Sequence, residues 1–171
     1  VGIEYILVSH EGAAGFMADV IGRLTGVPGV CVATLGPGAT NMTTGVGNAL
    51  LDRSPVLAIT GQAPLAQLKR RVQMRIDQHE LFRPLTKASC MLTPGRIAET
   101  VHAAIALSTS EPPGPVHLDL PDDVARLPEE PAPPGRPVAP AVVRTAPEAD
   151  FAAAMTRLAR ARRPVAALGL S

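Results

Sequence analysis

The sequence predicts an α/β fold, a doubly wound parallel sheet with flanking helices, on three observations. Apolar runs at 3–8, 30–35, 56–60 and 116–120 are short, rich in Val, Ile and Leu, and do not alternate with polar residues. Strands covered on both faces read this way. Helical patterns lie between them, at 11–25, 39–52 and 94–108, and alternating strands and helices imply crossover connections and parallel pairing.

Taken in order, Gly2-Ile3-Glu4-Tyr5 enters the first strand with no cap or helix before it, and Tyr5-Ile6-Leu7-Val8 leads straight into Ser9-His10-Glu11. The helix after it is rich in small residues and stops at Gly26, with Pro28-Gly29 beyond, a normal helix ending. The strand at 30–35 carries Cys31 and runs into Gly36-Pro37-Gly38, a tight turn. Glycine there admits close backbone approach and proline sets the turn. Residues 63–87 are less regular and hold the basic cluster Lys69-Arg70-Arg71. It reads as a solvated surface, with contact to an anionic ligand as the alternative.

The next helix opens at Thr93-Pro94 and places Ile97, Val101, Ala104 and Ile105 on one face. In the last strand His117 and Asp119 alternate, as structural residues or at the sheet's end. Prolines 128, 131, 133, 134, 137, 140 and 147 mark 128–147 as an extended, semi-rigid linker. An amphipathic helix follows over 148–162, with Phe151, Met155, Leu158 and Ala159 at helical spacing. Arg163 to Gly169 then begins another strand. The expected organisation is one domain over 1–127, a linker over 128–147, and the start of a further domain over 148–171.

Hydrophobic content of 46% against 18% charge is that of a globular chain. Aromatics are 2%, so Val, Leu, Ile and Ala must fill the core. A net charge of +1 offers no polyelectrolyte handle, and stacking platforms are scarce, so a nucleic-acid partner is not expected. No apolar stretch nears the ~20 residues of a membrane span. Cys31 and Cys90 read as reduced core residues of a cytoplasmic protein.

Glu11 is the leading candidate for chemistry, an acid at a strand-to-helix junction where ligands of open α/β sheets bind. Helix-dipole stabilisation is the plainer alternative, worth ~0.3–1 kcal/mol. Competing motifs fail. A dinucleotide fingerprint needs a glycine where Asn41 stands, and a zinc helix needs a histidine where Ala14 stands. His10, His79, His102 and His117 lack ligand spacing, so no metal ligand is assigned. No nucleophile elbow occurs.

Four blocks arrive in fixed order: Ser9 to Ala14, Val30 to Asn41, Asn48 to Gln62, and Gly114 to Val124. Together they resemble the pyrimidine-binding domain of thiamine-diphosphate enzymes of the acetolactate synthase and pyruvate oxidase group, over roughly the first three-quarters of the chain. The resemblance implies that Glu11 hydrogen-bonds ring N1' of the cofactor's aminopyrimidine, which makes its 4'-amino group basic enough to deprotonate thiazolium C2. It also implies that Gly36, Pro37 and Gly38 face the aminopyrimidine and substrate, with Thr34 and Asn41 beside them. The small residues Gly38, Ala39, Thr43, Thr44, Gly45, Gly47 and Ala49 would lie against a partner subunit in a homodimer or homotetramer.

In the same family a further strand and helix precede this point, so the chain reads as lacking the first unit of its domain. A central domain would begin after the proline-rich stretch. Mg²⁺ and the diphosphate would bind a separate Gly-Asp-Gly domain absent from this chain, and FAD use, mostly a property of the central domain, stays open. One departure concerns the substrate, a 2-oxo acid. Acetolactate synthases place a glutamine thirteen residues before the lysine of a Pro-x-Thr-Lys segment, and counting back from Lys87 reaches Met74. Asp77-Gln78 and Phe82-Arg83-Pro84 match a wider family version. The expected function is decarboxylation and carboligation of a 2-oxo acid. The alternative is a non-catalytic α/β binding module that keeps the fold.

Overall fold

A computed structural model describes residues 2–128 and 145–165. Helix α1 (Glu11–Thr25) begins where His10, extended at φ −151 and ψ 135, accepts the Gly12 N–H on Nδ1 at 3.0 Å. It ends at left-handed Gly26, whose N–H donates to the Gly22 carbonyl. Strand β1 (Gly29–Ala33) follows, then α2 (Pro37–Leu51) with proline at its first position, where a missing N–H costs nothing. Next come β2 (Val56–Gln62), the short α3 (Gln78–Phe82), β3 (Ala88–Met91), α4 (Ile97–Thr109), β4 (Pro115–Pro121) and α5 (Asp122–Ala125). Helix α6 (Glu148–Arg160) lies in a second compact unit, Ala139–Ser171, distinct from the first, Val1–Val138.

The sheet is parallel throughout, in the order β1-β2-β4-β3. Its faces are filled differently. Ala18, Cys31, Ala33, Met42, Val46, Ala49, Val56, Ala58 and Phe82 form one cluster, contributed by α1, α2, α3, β1 and β2. Leu57, Leu92, Val116 and Leu118 form the other, packed by Ala104, Ile97, Val101 and Ile105 of α4. Burial pushes the Cys31 thiol up to about 12, the state of an inert core cysteine, and both cysteines are free. Lys87 ties the end of α4 to the strand before it. Its Nζ, with three N–H donors, lies within 2.9 Å of the Leu107, Ser110 and Pro112 carbonyls and of Ser110 Oγ.

Four expectations change. Residues 3–8 are not a strand, because no described strand pairs with them; Tyr5 and Leu7 are exposed. Conversely, Ala88–Met91 becomes β3 by pairing with β4 from Val116 to Asp119. The small-residue face of α2, expected against a partner subunit, is largely consumed within the chain. Gly38, Ala39, Gly45 and Ala49 are buried, and Gly15 and Gly45 let α1 and α2 meet backbone to backbone. The helical expectation over 94–108 begins later, at Ile97. Most of the proline-rich stretch and of the strand expected at 163–169 falls outside the described residues.

Candidate functional site

The site is built where β1, β2 and β4 end. Register places Ala33 beside Thr60 and Thr60 beside Asp119, so the turn after β1 adjoins the polar ends of β2 and β4. Helix α1 presents Glu11 as its first residue, next to that turn. Asn41, in the second turn of α2, donates from Nδ2 to Glu11 Oε2 at 3.0 Å. That bond, with a backbone hydrogen bond, holds the Glu11 carboxyl below its ordinary range, so it is ionised at neutral pH. On the other oxygen, a Cβ at position 38 would stand 3.4 Å from Glu11 Oε1 and 2.8 Å from Thr34 Cγ2. Glycine therefore leaves that flank of the carboxylate open.

Gly36 caps α2 at φ 65 and ψ −115, a backbone state that side chains rarely adopt, and a Cβ there would collide with the Met74 carbonyl. Met74 itself sits at φ 63 and is half exposed. The structure thus brings Glu11, Thr34, Gly36, Pro37, Gly38, Asn41 and Met74 into one neighbourhood. Asn41 acts on the acid rather than standing apart from it.

Sequence reasoning named Gln78, His117 and Asp119 but missed the network they form beneath. Gln78 is 1% exposed and accepts the Gly36 N–H on Oε1 at 3.0 Å. Its Nε2 faces Thr60 Oγ1 at 2.8 Å, the Gly61 carbonyl at 3.0 Å and Asp119 Oδ1 at 2.6 Å. Asp119 also accepts from Thr60 Oγ1 and from Gln62 Nε2, each at 2.9 Å. The set is satisfied when His117 carries its proton on Nε2. That N–H donates to Thr60 Oγ1 at 2.7 Å, and the Ser89 hydroxyl donates to Nδ1 at 2.7 Å. Burial pushes His117 down to about 3 and keeps it neutral. Burial raises Asp119, against the lowering effect of Gln62, Thr60 and Gln78. The available signal was polar residues inside doubly covered strands, which must find partners. Among the described residues, no three His, Cys, Asp or Glu side chains gather as a metal site.

Comparison with known proteins decides the family. Residues 1–81 match the thiamine pyrophosphate enzyme N-terminal TPP binding domain. Over 123 residues the chain is 47% identical to the "Probable acetolactate synthase large subunit" of Methanocaldococcus jannaschii, covering 71% of this chain and 21% of that one. The chain belongs to the thiamine pyrophosphate enzymes. It is also 45% identical over 124 residues to mouse 2-hydroxyacyl-CoA lyase 2, covering 72% of this chain and 20% of the other. Acetolactate synthase isozyme 1 large subunit of Escherichia coli K12 is 34% identical over 172 residues, 98% of this chain and 30% of that subunit. The chain thus spans about a fifth to a third of the length of these curated relatives.

The residues present fit the thiamine pyrophosphate enzymes' cofactor on physical grounds. An ionised acid at a helix start, with one oxygen oriented by an amide and the other flank cleared by Gly38, can accept a hydrogen bond from a ring nitrogen.

Proposed function

We propose that this chain supplies the aminopyrimidine-binding part of a thiamine-diphosphate enzyme that decarboxylates and carboligates a 2-oxo acid, as acetolactate synthase does. The observation that carries the reading is the Glu11 carboxylate, ionised, oriented by Asn41 and open beside Gly38. Bound thiamine diphosphate supplies a nucleophilic carbon and an electron sink for carbonyl chemistry. Glu11 holds the proton shared with ring nitrogen N1', and the charge-assisted bond fixes the ring. Gly36, Pro37 and Gly38 would hold the ring, with Thr34, directly after β1, beside them. Met74, resting on Gly36, lies toward the substrate.

We read 1–127 as the pyrimidine-binding domain, 128–147 as a linker and 148–171 as the start of a central domain. A relative that aligns across 98% of the chain supports that extension. The diphosphate and its Mg²⁺ are held by a second domain, and FAD use is a matter for the central one. Phe16, Met17, Val20 and Leu24 leave the outer face of α1 apolar and exposed, which supports assembly into a homodimer or homotetramer. No described helix is long and apolar enough to cross a membrane. The two free thiols are in keeping with the cytoplasm.

Glu11→Gln in the full-length enzyme tests the reading. Turnover should fall at least ~100-fold with the fold intact, the scale of losing a positioned proton partner. Turnover within about threefold of the parent would remove Glu11 from the chemistry and favour a non-catalytic α/β module.

A further inference from the structure

We propose that Gln78 is the positioning residue for Glu11: from beneath the Gly36 turn it ties the start of α2 to the ends of β2 and β4. Asn41 and Gly38 are thereby held against the acid. The inference rests on the cofactor role of Glu11 proposed above.

The geometry is specific to an amide. Gly36 has no side chain to cap α2, and its buried N–H is taken by Gln78 Oε1, from a residue 42 positions further along. The opposite end of the same planar group, with two N–H donors, faces Thr60, Gly61 and Asp119. An amide offers an acceptor at one end and two donors at the other, without a charge at any pH. From Gly36 the connection is short. The Gly36 carbonyl accepts the Thr40 N–H at 2.9 Å, and the next residue, Asn41, reaches Glu11. Gly38 lies between, against Glu11 Oε1 and Thr34. A turn that drifted from φ 65 would carry both contacts off the carboxylate. Gln78 does not touch Glu11, so it acts on the acid through the turn and α2.

Two variants of the full-length enzyme test this. Gln78→Leu keeps the bulk and removes both the acceptor and the donors. Without cofactor, amide hydrogen exchange over residues 35–41 should quicken at least ~10-fold, because a buried N–H loses its partner. With saturating cofactor, turnover should fall at least ~10-fold, and the acid limb of its pH profile should move upward as Glu11 loses the Asn41 bond. Gln78→Glu separates positioning from packing. As a carboxylate it faces Asp119 with like charge, but once protonated it regains a donor and an acceptor. Protection of 35–41 and turnover should then recover as pH falls from about 8 to about 6.

Unchanged exchange over 35–41 and an unmoved pH profile in Gln78→Leu, with only a lower melting temperature, would overturn the proposal. So would a Gln78→Glu enzyme indifferent to pH, which also decides the matter if Gln78→Leu fails to fold. A loosened 35–41 segment alongside full turnover in Glu11→Gln would sink the cofactor reading while upholding the tie. An unchanged segment alongside an inactive Glu11→Gln would sink the tie alone.

Discussion

Helices α1 and α2 meet each other through glycine and meet the sheet through alanines together with Met42 and Val46, whereas α4 covers the opposite face with Ile97, Val101 and Ile105 on Leu57, Val116 and Leu118. On the first side Gly15 and Gly45 bring two backbones together. Asp19, 1% exposed, accepts from Arg23 of its own helix at 2.9 Å and from Asn48 of α2 at 2.8 Å, and Arg23 and Asn48 both also reach Asp52 at the end of α2. On the second side the contacts are mainly aliphatic, closed off by the Lys87 cap. Close approach through small residues buries little surface per residue but sets helix position tightly. Aliphatic packing gives the larger burial energy and tolerates small shifts. The helices that carry Glu11 and Asn41 are the tightly set ones, and the helix that carries none of the site residues is the aliphatic one.

Variants on the two sides should therefore separate stability from activity. Leu118→Ala should cost ~2–5 kcal/mol of stability, the range for a truncated core leucine, with turnover per folded molecule close to the parent. Urea titration and active-site-normalised rates check it. A large loss of turnover at full occupancy would mean that the aliphatic side also shapes the site.

Gly45→Ala should cost less stability but more function. Its Cβ would fall 2.6 Å from the Gly15 carbonyl carbon, so the helices must part. Overpacking of this kind costs ~1–3 kcal/mol, partly offset by alanine's better helix propensity, about 1 kcal/mol. Because α1 carries Glu11 and α2 carries Asn41, turnover should drop with it. A net gain in stability at unchanged turnover would show that the glycine contact has room to spare.

The smallest structural effect is expected at the rim. Met74→Gln keeps the backbone at φ 63 and should leave cofactor affinity and stability nearly unchanged. Preference among 2-oxo acids or acceptors should shift by roughly 10–200-fold, the ~1–3 kcal/mol of a pocket contact. Weaker thiamine diphosphate binding with an unchanged substrate profile would move Met74 from the substrate side to the cofactor.

Much of the parallel layout was legible in the order of residues, because apolar runs and helical spacing are local patterns. Leu57, Ala58 and Ile59 declare a strand covered on both faces; Val30, Cys31 and Val32 read the same way, but β1 is an edge strand whose Val30 and Val32 are half exposed. Glu11 and the Gly36-Pro37-Gly38 turn were legible too, since a junction acid and a glycine-proline turn are short-range signals and their blocks match a known family. Chain order by itself determined the fold class, the core-forming residue types and the candidate acid.

Tertiary structure alone decided the rest. Tyr5 to Val8 has a strand's composition, but a strand exists only where a ladder receives it, and none does among the described residues. Ala88 to Met91 has weak strand character and is a strand because β4 accepts it. Gln78 stands in the chain as half of the Asp77-Gln78 family match, with no partner indicated, until the fold carries it 42 positions back to Gly36. Asn41 is thirty positions from Glu11 in the chain and 3.0 Å away in space. Hydrogen bonds between distant residues leave no periodic trace, so the ties that aim the acid became visible only once the sheet had brought its ends together.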